Sequence, residues 1–250
     1  MPENGSIYFA SDFHLGVPTK EKSLEREHRI LRWLDFIEPD LSELFLMGDI
    51  FDFWFEYKHA VPKGYTRLLG RLAQISDAGI PIHFFKGNHD MWTFGYLEDE
   101  IGLKVHSKDQ IMERQGLKLY LGHGDGLGPG EQGYKLMRSI FRNPLTQWAF
   151  ARVHPNFGIG LGLFWSRKSR AANEAGDTSF FGEKERILQF AKAHQKVNPM
   201  DLYIFGHRHL PLEMDVEEGV KYFNLGDWIS YNTYGKLSNG AFSLQEFEKD

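Results

Sequence analysis

The stretch SIYFASDFH, Ser6 to His14, is a short apolar run that ends in two metal-seeking side chains. Ser6–Ala10 has the length and composition of a buried strand. Asp12 and His14, two positions apart, can reach the same side of an extended segment. The arrangement recurs four more times. LFLM (Leu44–Met47) precedes Gly48-Asp49, and IHFF (Ile82–Phe85) precedes Gly87-Asn88-His89-Asp90. LKLYL (Leu117–Leu121) precedes Gly122-His123-Gly124-Asp125, and LYIF (Leu202–Phe205) precedes Gly206-His207-Arg208-His209. Sites in α/β sheets form just beyond the C-terminal ends of strands, so the five clusters are expected to converge at one rim.

Between the first clusters the period changes. Leu24, His28, Leu31, Leu34 and Ile37 recur at three- and four-residue steps, which predicts a helix over Ser23–Ile37 that Pro39 stops. Gly64–Ala78 reads as a second helix, closed by Gly79, before a strand over Ile80–Phe85. Strands alternating with helices predict a layered α/β arrangement with largely parallel pairing. The second half differs. Gln110–Arg114 and Leu117–Leu121 flank Gln115-Gly116, a hairpin turn. Gly130–Ala151 reads as one helix rich in large apolar groups, NFGIGLGL (Asn156–Leu163) as a glycine-punctuated loop, and Gly182–His194 as another helix. Leu202–Phe205, Lys221–Leu225 and Ala241–Phe247 read as strands. With no internal repeat or low-complexity linker, residues 1–250 are expected to form a single domain with a helical insert at about 130–175.

Composition narrows the class. Hydrophobic residues make up 42% of the 250, enough for a real core. Cysteine is absent, which excludes disulfides, thiolate zinc sites and a Cys nucleophile and agrees with a reducing cytosol. No basic-then-apolar leader opens the sequence, and no apolar run approaches the roughly 18 residues needed to cross a bilayer. A net charge of -5 argues against nucleic acid as a partner. The charge is uneven, however. Gln132–Asn173 holds seven of the 29 lysines and arginines and none of the 34 acids. Such a stretch suits an anionic ligand or an anionic membrane surface.

Phosphate esters are among the slowest substrates to hydrolyse unaided. Two metal ions about 3.5–4 Å apart clamp a phosphoryl group and supply hydroxide at neutral pH. Holding such a pair takes a bridging carboxylate with neutral nitrogen and oxygen donors, the set that the five clusters offer. Sulfur is missing from that set, which favours Mn²⁺, Fe²⁺ or Zn²⁺ over copper or an iron–sulfur centre. Any single cluster could equally cap a helix or tie down a loop. Five in series, each after an apolar run, point to a metal site.

The series D-x-H, G-D, G-N-H-D, G-H and G-H-x-H, spread over residues 12–209, resembles the motif set of the calcineurin-like metallophosphoesterase superfamily. The resemblance implies a four-layer α/β fold, a β-sandwich flanked by helices, with two divalent ions, Mn²⁺ first and Fe²⁺ or Zn²⁺ as alternatives. Carried over position by position, Asp12, His14 and His209 would hold one ion, Asn88, His123 and His207 the other, with Asp49 bridging. A metal-bridging hydroxide would attack phosphorus in line. His89 would face the substrate and stabilise the transition state or protonate the leaving group. Asp90 would orient His89, while Asp52 and Asp125 either orient ligands or tie down loops.

Within that superfamily GDIFDFW, Gly48 to Trp54, resembles the signature of the UDP-2,3-diacylglucosamine pyrophosphohydrolases of lipid A synthesis, which release UMP and a diacylated sugar phosphate. Tyr134, nine residues beyond Asp125, with Arg138, Arg142 and Trp148, resembles that family's helical lid, and Ser169 and Asn173 match its S-x-x-x-N spacing. The family pattern departs at three places: His89 stands where many members carry Arg, Gly128-Pro129-Gly130-Glu131 replaces a Cys-Thr-Asp-Asp run, and Gly176 replaces a lysine. The resemblance makes Asn88, His89, Glu131, Tyr134, Arg138, Arg142, Arg167, Lys168, Ser169, Asn173 and His207 the candidate substrate contacts. Physically, a diphosphate bearing two acyl chains needs cations and a greasy groove. The acid-free insert carries both, with Phe141, Leu145, Phe150, Phe164 and Trp165 as candidate acyl contacts. The expected protein is cytoplasmic, touching the inner membrane peripherally through this insert, with a nucleotide-lipid substrate and no protein partner. The rival readings are a phosphodiesterase or phosphatase for a small soluble nucleotide, which would not need such an insert, and a non-catalytic scaffold, which would be expected to have lost ligands.

Overall fold

The computed structural model describes residues 5–130, 132–177 and 179–248. Its first half turns the alternation of strand and helix into a parallel run: β1 (Ser6–Ala10), β2 (Leu41–Leu46), β3 (Ile82–Phe85) and β4 (Lys104–His106). Helices α1 (Lys20–Ile37), α2 (Thr66–Asp77) and the short α3 (Tyr96–Asp99) fill the connections. The hairpin β5 (Gln110–Arg114) and β6 (Leu117–Gly122) then starts a second sheet. Its turn residues Gln115 and Gly116 have φ of 49° and 79°, the left-handed pair that a two-residue hairpin needs.

The insert follows: α4 (Gln132–Phe141), α5 (Pro144–Phe150) and α6 (Pro155–Asp177). After it come α7 (Arg186–Gln195), β7 (Leu202–Phe205), β8 (Pro211–Glu217), β9 (Val220–Leu225), β10 (Thr233–Ser238) and β11 (Ala241–Glu246). One sheet runs β11-β10-β1-β2-β3-β4 and the other β5-β6-β7-β9-β8. Pairing is therefore mixed. Antiparallel pairs flank the parallel centres at every edge but that of β4, because β10, β11, β5 and β8 arrive through hairpins or short returns.

Alternation along β1 separates the layers. Ile7 and Phe9 face the second sheet, packing with Phe45, Leu121, Ile204 and Phe223. Tyr8 and Ala10 face α1 and α2, packing with Trp33, Leu34 and Leu72. On the other side Tyr203, Phe205 and Tyr222 pack under Ile187, Leu188 and Ala191 of α7. The order is helix, sheet, sheet, helix, a mixed α/β fold of two sheets flanked by helices. The stripe on α1 is shifted from the expected one. The buried face is Ser23, Arg26, Glu27, Ile30, Trp33, Leu34 and Ile37, and His28 is exposed. Two charged residues interrupt that face because they serve neighbouring loops: Glu27 accepts the Leu68 N–H and Arg26 donates to carbonyls after β1.

Two expectations for the insert are corrected. The single helix over Gly130–Ala151 is two, broken where Pro144 lacks an N–H and its ring blocks continuation, with Asn143 accepting the Leu145 N–H at 2.8 Å to restart it. NFGIGLGL is helical, not a loop. Gly158 and Gly162 lie one turn apart, and a Cβ on either would come within 2.2 Å of Tyr57 Oη or the Phe53 ring. The glycines let α6 approach the body closely. That contact belongs to a small apolar cluster in which Phe53, Phe55, Met91 and Trp92 meet Phe141, Phe150, Ile159 and Leu163.

Candidate dinuclear metal centre and substrate groove

The loops that leave β1, β2, β3, β6 and β7 meet between the two sheets. Five side chains there sit on left-handed backbone: Asp12 (φ 56°), His14 (44°), Asp49 (54°), His207 (71°) and His209 (54°). Non-glycine residues seldom adopt this region, at a cost on the order of 1 kcal/mol or more each, and such outliers cluster at functional sites. The surroundings hold them in place. Asp12 N–H donates to Gly48 O at 3.1 Å and His14 N–H to Asp49 O at 2.9 Å. The buried Arg26 donates to the carbonyls of Phe13, His14 and Val17 at 3.0, 2.8 and 3.0 Å. Gly206 has no room for a side chain, since a Cβ would stand 1.8 Å from Ser11 Oγ.

Among the described residues three donor groups result, each with ligand atoms within 4.8 Å of one another: Asp12, His14, Asp49 and His209; Asp49, His123 and His207; and His14, Asp52 and His89. The first two share Asp49 and are the pair expected to hold metal. In the first, His14 Nε2 lies 3.0 Å from His209 Nε2, 3.6 Å from Asp12 Oδ1 and 3.7 Å from Asp49 Oδ2. In the second, His123 Nε2 lies 3.3 Å from Asp49 Oδ2 and 3.2 Å from Asn88 Oδ1. Donors held about 2.1 Å from one ion stand roughly 3–3.4 Å apart, so these spacings suit coordination, and Asp49 Oδ2 faces both groups. The remaining ring nitrogens have their own partners. His123 Nδ1 donates to Met47 O at 2.9 Å, His14 Nδ1 lies 3.4 Å from Asp52 Oδ1, and His209 Nδ1 lies 3.6 Å from Asp227 Oδ2. Acceptors behind the imidazoles fix which nitrogen is presented to a metal.

The donor set calls for cations. Asp12 Oδ1 is buried without a hydrogen-bond partner, facing only the ring nitrogens of His14 and His209. Burial pushes the Asp12 and Asp49 carboxyls up, but neighbouring imidazoles outweigh it and hold both below the usual carboxylate range. Burial would lower His123 too, but Asp49 raises it well above an ordinary histidine, while burial and His123 push His207 down to about 4. Buried carboxylates of this kind demand positive charge close by, which divalent ions would supply. Asp12, His14, Asp49, Asn88, His123, His207 and His209 thus fit a pair of divalent ions by donor type, spacing and charge.

His89 sits beside this centre, its ring 4.9 Å from that of His14. Its Nδ1 meets Asp52 O at 2.9 Å and Ser166 Oγ at 3.1 Å, and Ser166 donates to Asp52 Oδ2 at 2.5 Å. Asp90 behaves otherwise than expected. Its carboxylate accepts the N–H groups of Ile50 and Gly87, both at 2.8 Å, and so ties the loop after β2 to the loop after β3. Burial and Asp49 push Asp90 up to about 7, against those hydrogen bonds. Asp52 and Ser166 both contact His89 Nδ1, and Ser166 stands in no motif that could have flagged it. Asp227 was also missed, although Gly226-Asp227 after β9 repeats the pattern of Gly48-Asp49 after β2.

Asp125 grips the insert. It accepts from Tyr134 Oη at 3.0 Å and pairs with Arg138 at 3.2 Å and Arg142 at 3.8 Å. Between insert and body opens an apolar groove of 460 Å³, lined by Asn88, His89 and Ser166 at the metal end and by Phe53, Trp92, Phe141, Phe150 and Trp165 beyond. Tyr134, Arg138 and Lys168 also reach its wall. Of the expected acyl contacts, Phe141, Phe150 and Trp165 line the groove, whereas Leu145 (71% exposed) and Phe164 (60%) are solvent-facing. Sequence reasoning missed the body's share, Phe53, Met91 and Trp92. Glu131 lies outside the described residues, and the side chains of Arg167, Ser169 and Asn173 lie outside those described.

The family model for the calcineurin-like phosphoesterases matches residues 5–211. A protein of Porphyromonas gingivalis named UDP-2,3-diacylglucosamine hydrolase is 40% identical over 97% of this chain and 97% of its own length. One of the same name from Serratia proteamaculans is 26% identical over 96% and 98%. Among solved structures, the phosphoesterase Yfce of E. coli shows a distant likeness, with 16% identity, a TM-score of 0.46, and coverage of 97% of this chain and 100% of that one. Family match and relatives agree with the strand-end donor set, and the chain belongs to the calcineurin-like metallophosphoesterases, a family that implies divalent metal ions, and is a hydrolase.

Proposed function

We propose that this chain hydrolyses the pyrophosphate bond of UDP-2,3-diacylglucosamine, giving UMP and 2,3-diacylglucosamine 1-phosphate for lipid A assembly. The observation that carries the proposal is the apolar groove opening directly onto Asn88 and His89 beside the paired donor groups. A small soluble nucleotide would gain nothing from a wall of Phe53, Trp92, Phe141, Phe150 and Trp165, whereas acyl chains would. The relatives' names point the same way.

Asp12, His14 and His209 would hold one ion, Asn88, His123 and His207 the second, and Asp49 both. Two divalent ions supply charge neutralisation of the phosphoryl oxygens and hydroxide at neutral pH. Their oxygen and nitrogen donors favour Mn²⁺, with Fe²⁺ or Zn²⁺ as alternatives. In the balanced reaction one P–O bond forms to water oxygen, the bridging P–O bond breaks, and the released proton passes to solvent. Protonated on both ring nitrogens, His89 would donate Nδ1–H to the Asp52 carbonyl and keep Nε2–H for a phosphoryl oxygen. Arg138, Arg142, Arg167 and Lys168 would meet the diphosphate, and Glu131, Tyr134, Ser169 and Asn173 the sugar. No helix among the described residues is long and apolar enough to cross a membrane. The exposed Leu136, Leu145, Trp148 and Phe157, set among the basic residues of the insert, would instead rest on the anionic cytoplasmic face of the inner membrane.

The test is UMP release from UDP-2,3-diacylglucosamine against a UDP-sugar without acyl chains. Turnover confined to the acylated substrate is expected. Equal turnover of both would sink the lipid assignment and favour a small soluble nucleotide. Flotation with anionic vesicles at low salt tests the membrane contact.

A further inference from the structure

A second cavity, of 310 Å³, opens beside the candidate metal centre, and among the described residues Arg138 alone lines both it and the apolar groove. Its character is opposite to that of the groove. Lys86 and Lys108 join Arg138 and Arg142 on its wall, against the carboxylates of Asp109 and Asp125. It is built from both sheets: the ends of β3 and β4, the residues after β4, strand β6 and helix α4. His123 closes its inner end, and the exposed Ser107 and Lys108 form its outer lip.

We propose that this cavity holds the nucleoside phosphate half of the substrate, with phosphate inward and base outward. The inference rests on the nucleotide-lipid reading and deepens it. A diphosphate whose lipid half enters the groove must leave its other half somewhere within reach of the same phosphoryl centre. The 310 Å³ cavity meets that centre at His123 and lies at the lower end of the size range of small-ligand pockets, about 300–1,000 Å³. Its four cations outnumber its two carboxylates, which leaves net positive charge to meet a phosphate group. Rings also belong to the lining: His106, stacked on Phe85 and His83 with centroids 4.7 and 5.1 Å apart, and Tyr120, stacked on Tyr203 at 5.7 Å, offer their edges to a base. Tyr120 Oη donates to Asp109 Oδ2 at 3.2 Å, and this carboxyl in the lining is an acceptor of the kind a uracil N3–H requires. Acyl chains would find no such apolar wall here.

The test is calorimetric titration of the metal-loaded protein with UMP, and separately with 2,3-diacylglucosamine 1-phosphate in detergent. Lys108→Glu, on the exposed lip, and Lys86→Gln are each expected to weaken UMP binding by about tenfold or more while leaving the lipid product's affinity nearly unchanged. Trp165→Ala, in the groove, is expected to do the reverse. UMP affinity indifferent to both lysine substitutions, or weakened by Trp165→Ala instead, would overturn the proposal. The two readings fail separately. UMP binding that depends on Lys86 and Lys108 without turnover of the acylated substrate upholds the cavity and removes the lipid assignment. Normal turnover with UMP affinity indifferent to the lysines removes the cavity alone.

Discussion

Replacing Trp165 by alanine takes one wall from the apolar groove without touching the metal centre. Trp165 stacks on Phe141 with ring centroids 5.8 Å apart and remains 45% exposed. An indole side chain presents roughly 200 Å², so about 100 Å² is open to a ligand at this exposure. At about 25 cal/mol per Å², covering most of it contributes about 2 kcal/mol to binding an acyl chain. Phe141 stays anchored because its carbonyl accepts Trp92 Nε1 at 2.8 Å, so the loss is that of the indole alone. Trp165→Ala should therefore raise KM for UDP-2,3-diacylglucosamine roughly 30-fold, since about 1.4 kcal/mol is tenfold. The comparison substrate is bis(p-nitrophenyl) phosphate, which has no acyl chain and should be turned over at the wild-type kcat/KM. An equal loss on both substrates would mean that the substitution disturbs the metal centre. No loss on either would mean that the acyl chains lie elsewhere. Either result refutes the assignment of the groove.

Asp49→Ala should lower metal-dependent hydrolysis of every phosphodiester by more than about a thousandfold, and Mn²⁺ should no longer raise its thermal midpoint. Asp227→Asn should reduce metal affinity by about 10–100-fold through a less firmly oriented His209, measured by Mn²⁺ titration of the stripped protein, with kcat recovering at saturating metal. Gly162→Val forces a side chain into the Phe53 ring and should cost about 1–3 kcal/mol by overpacking, seen as a lower thermal midpoint and a higher KM for the acylated substrate alone. Glu43 accepts from Arg114 at 2.6 and 2.9 Å and lies 2.8 Å from His83. Burial raises its carboxyl, but these partners outweigh it and bring it down to about 2 from 4.5. A lowered carboxyl stabilises fully above the unfolded value and loses that stability as pH falls from 4.5 towards 2. After allowance for solvent screening the effect is about 2 kcal/mol, measured by urea unfolding of metal-stripped protein. Glu43→Gln should remove that part of the pH dependence.

The convergence of the candidate metal ligands at one rim was legible in the sequence because its signal is local. An apolar run fixes a strand, and the residues just beyond it carry the donors. That logic reached all five clusters and would have reached Asp227 had Gly226-Asp227 been read in the same way. What was not legible depends on packing between distant segments. Ser166 becomes significant only because α6 brings it to Asp52 and His89. The glycines of NFGIGLGL read as loop punctuation because a sequence does not show that Phe53 and Tyr57 lie against them. The stripe on α1 was misplaced because Arg26 and Glu27 are buried for their hydrogen bonds, which hydrophobic periodicity cannot register. Strand β10 was overlooked although Asn239-Gly240, with φ of 52° and 73°, marks its turn into β11.

The end of β6 joins the two halves of the site. His123 turns its Nε2 towards Asp49 and Asn88. Two residues on, Asp125 turns its carboxylate outward to Tyr134, Arg138 and Arg142. The spacing between phosphoryl chemistry and insert is thereby set by one short stretch of backbone that leaves a buried strand. The insert also meets the body at the cluster around Phe53 and Trp92 and where Ser166 donates to Asp52. The Asp125 clamp fixes the distance of Arg138 and Arg142 from the candidate metal centre, so that on the proposed reading binding energy from acyl chains could help position the diphosphate. The left-handed backbone at Asp12, His14, Asp49, His207 and His209 has the same logic. Strain is tolerated where the sheets and Arg26 over-determine the geometry. On the proposed reading, the rim would serve phosphoester hydrolysis in general, and the groove and the polar cavity, which share Arg138, would select the substrate.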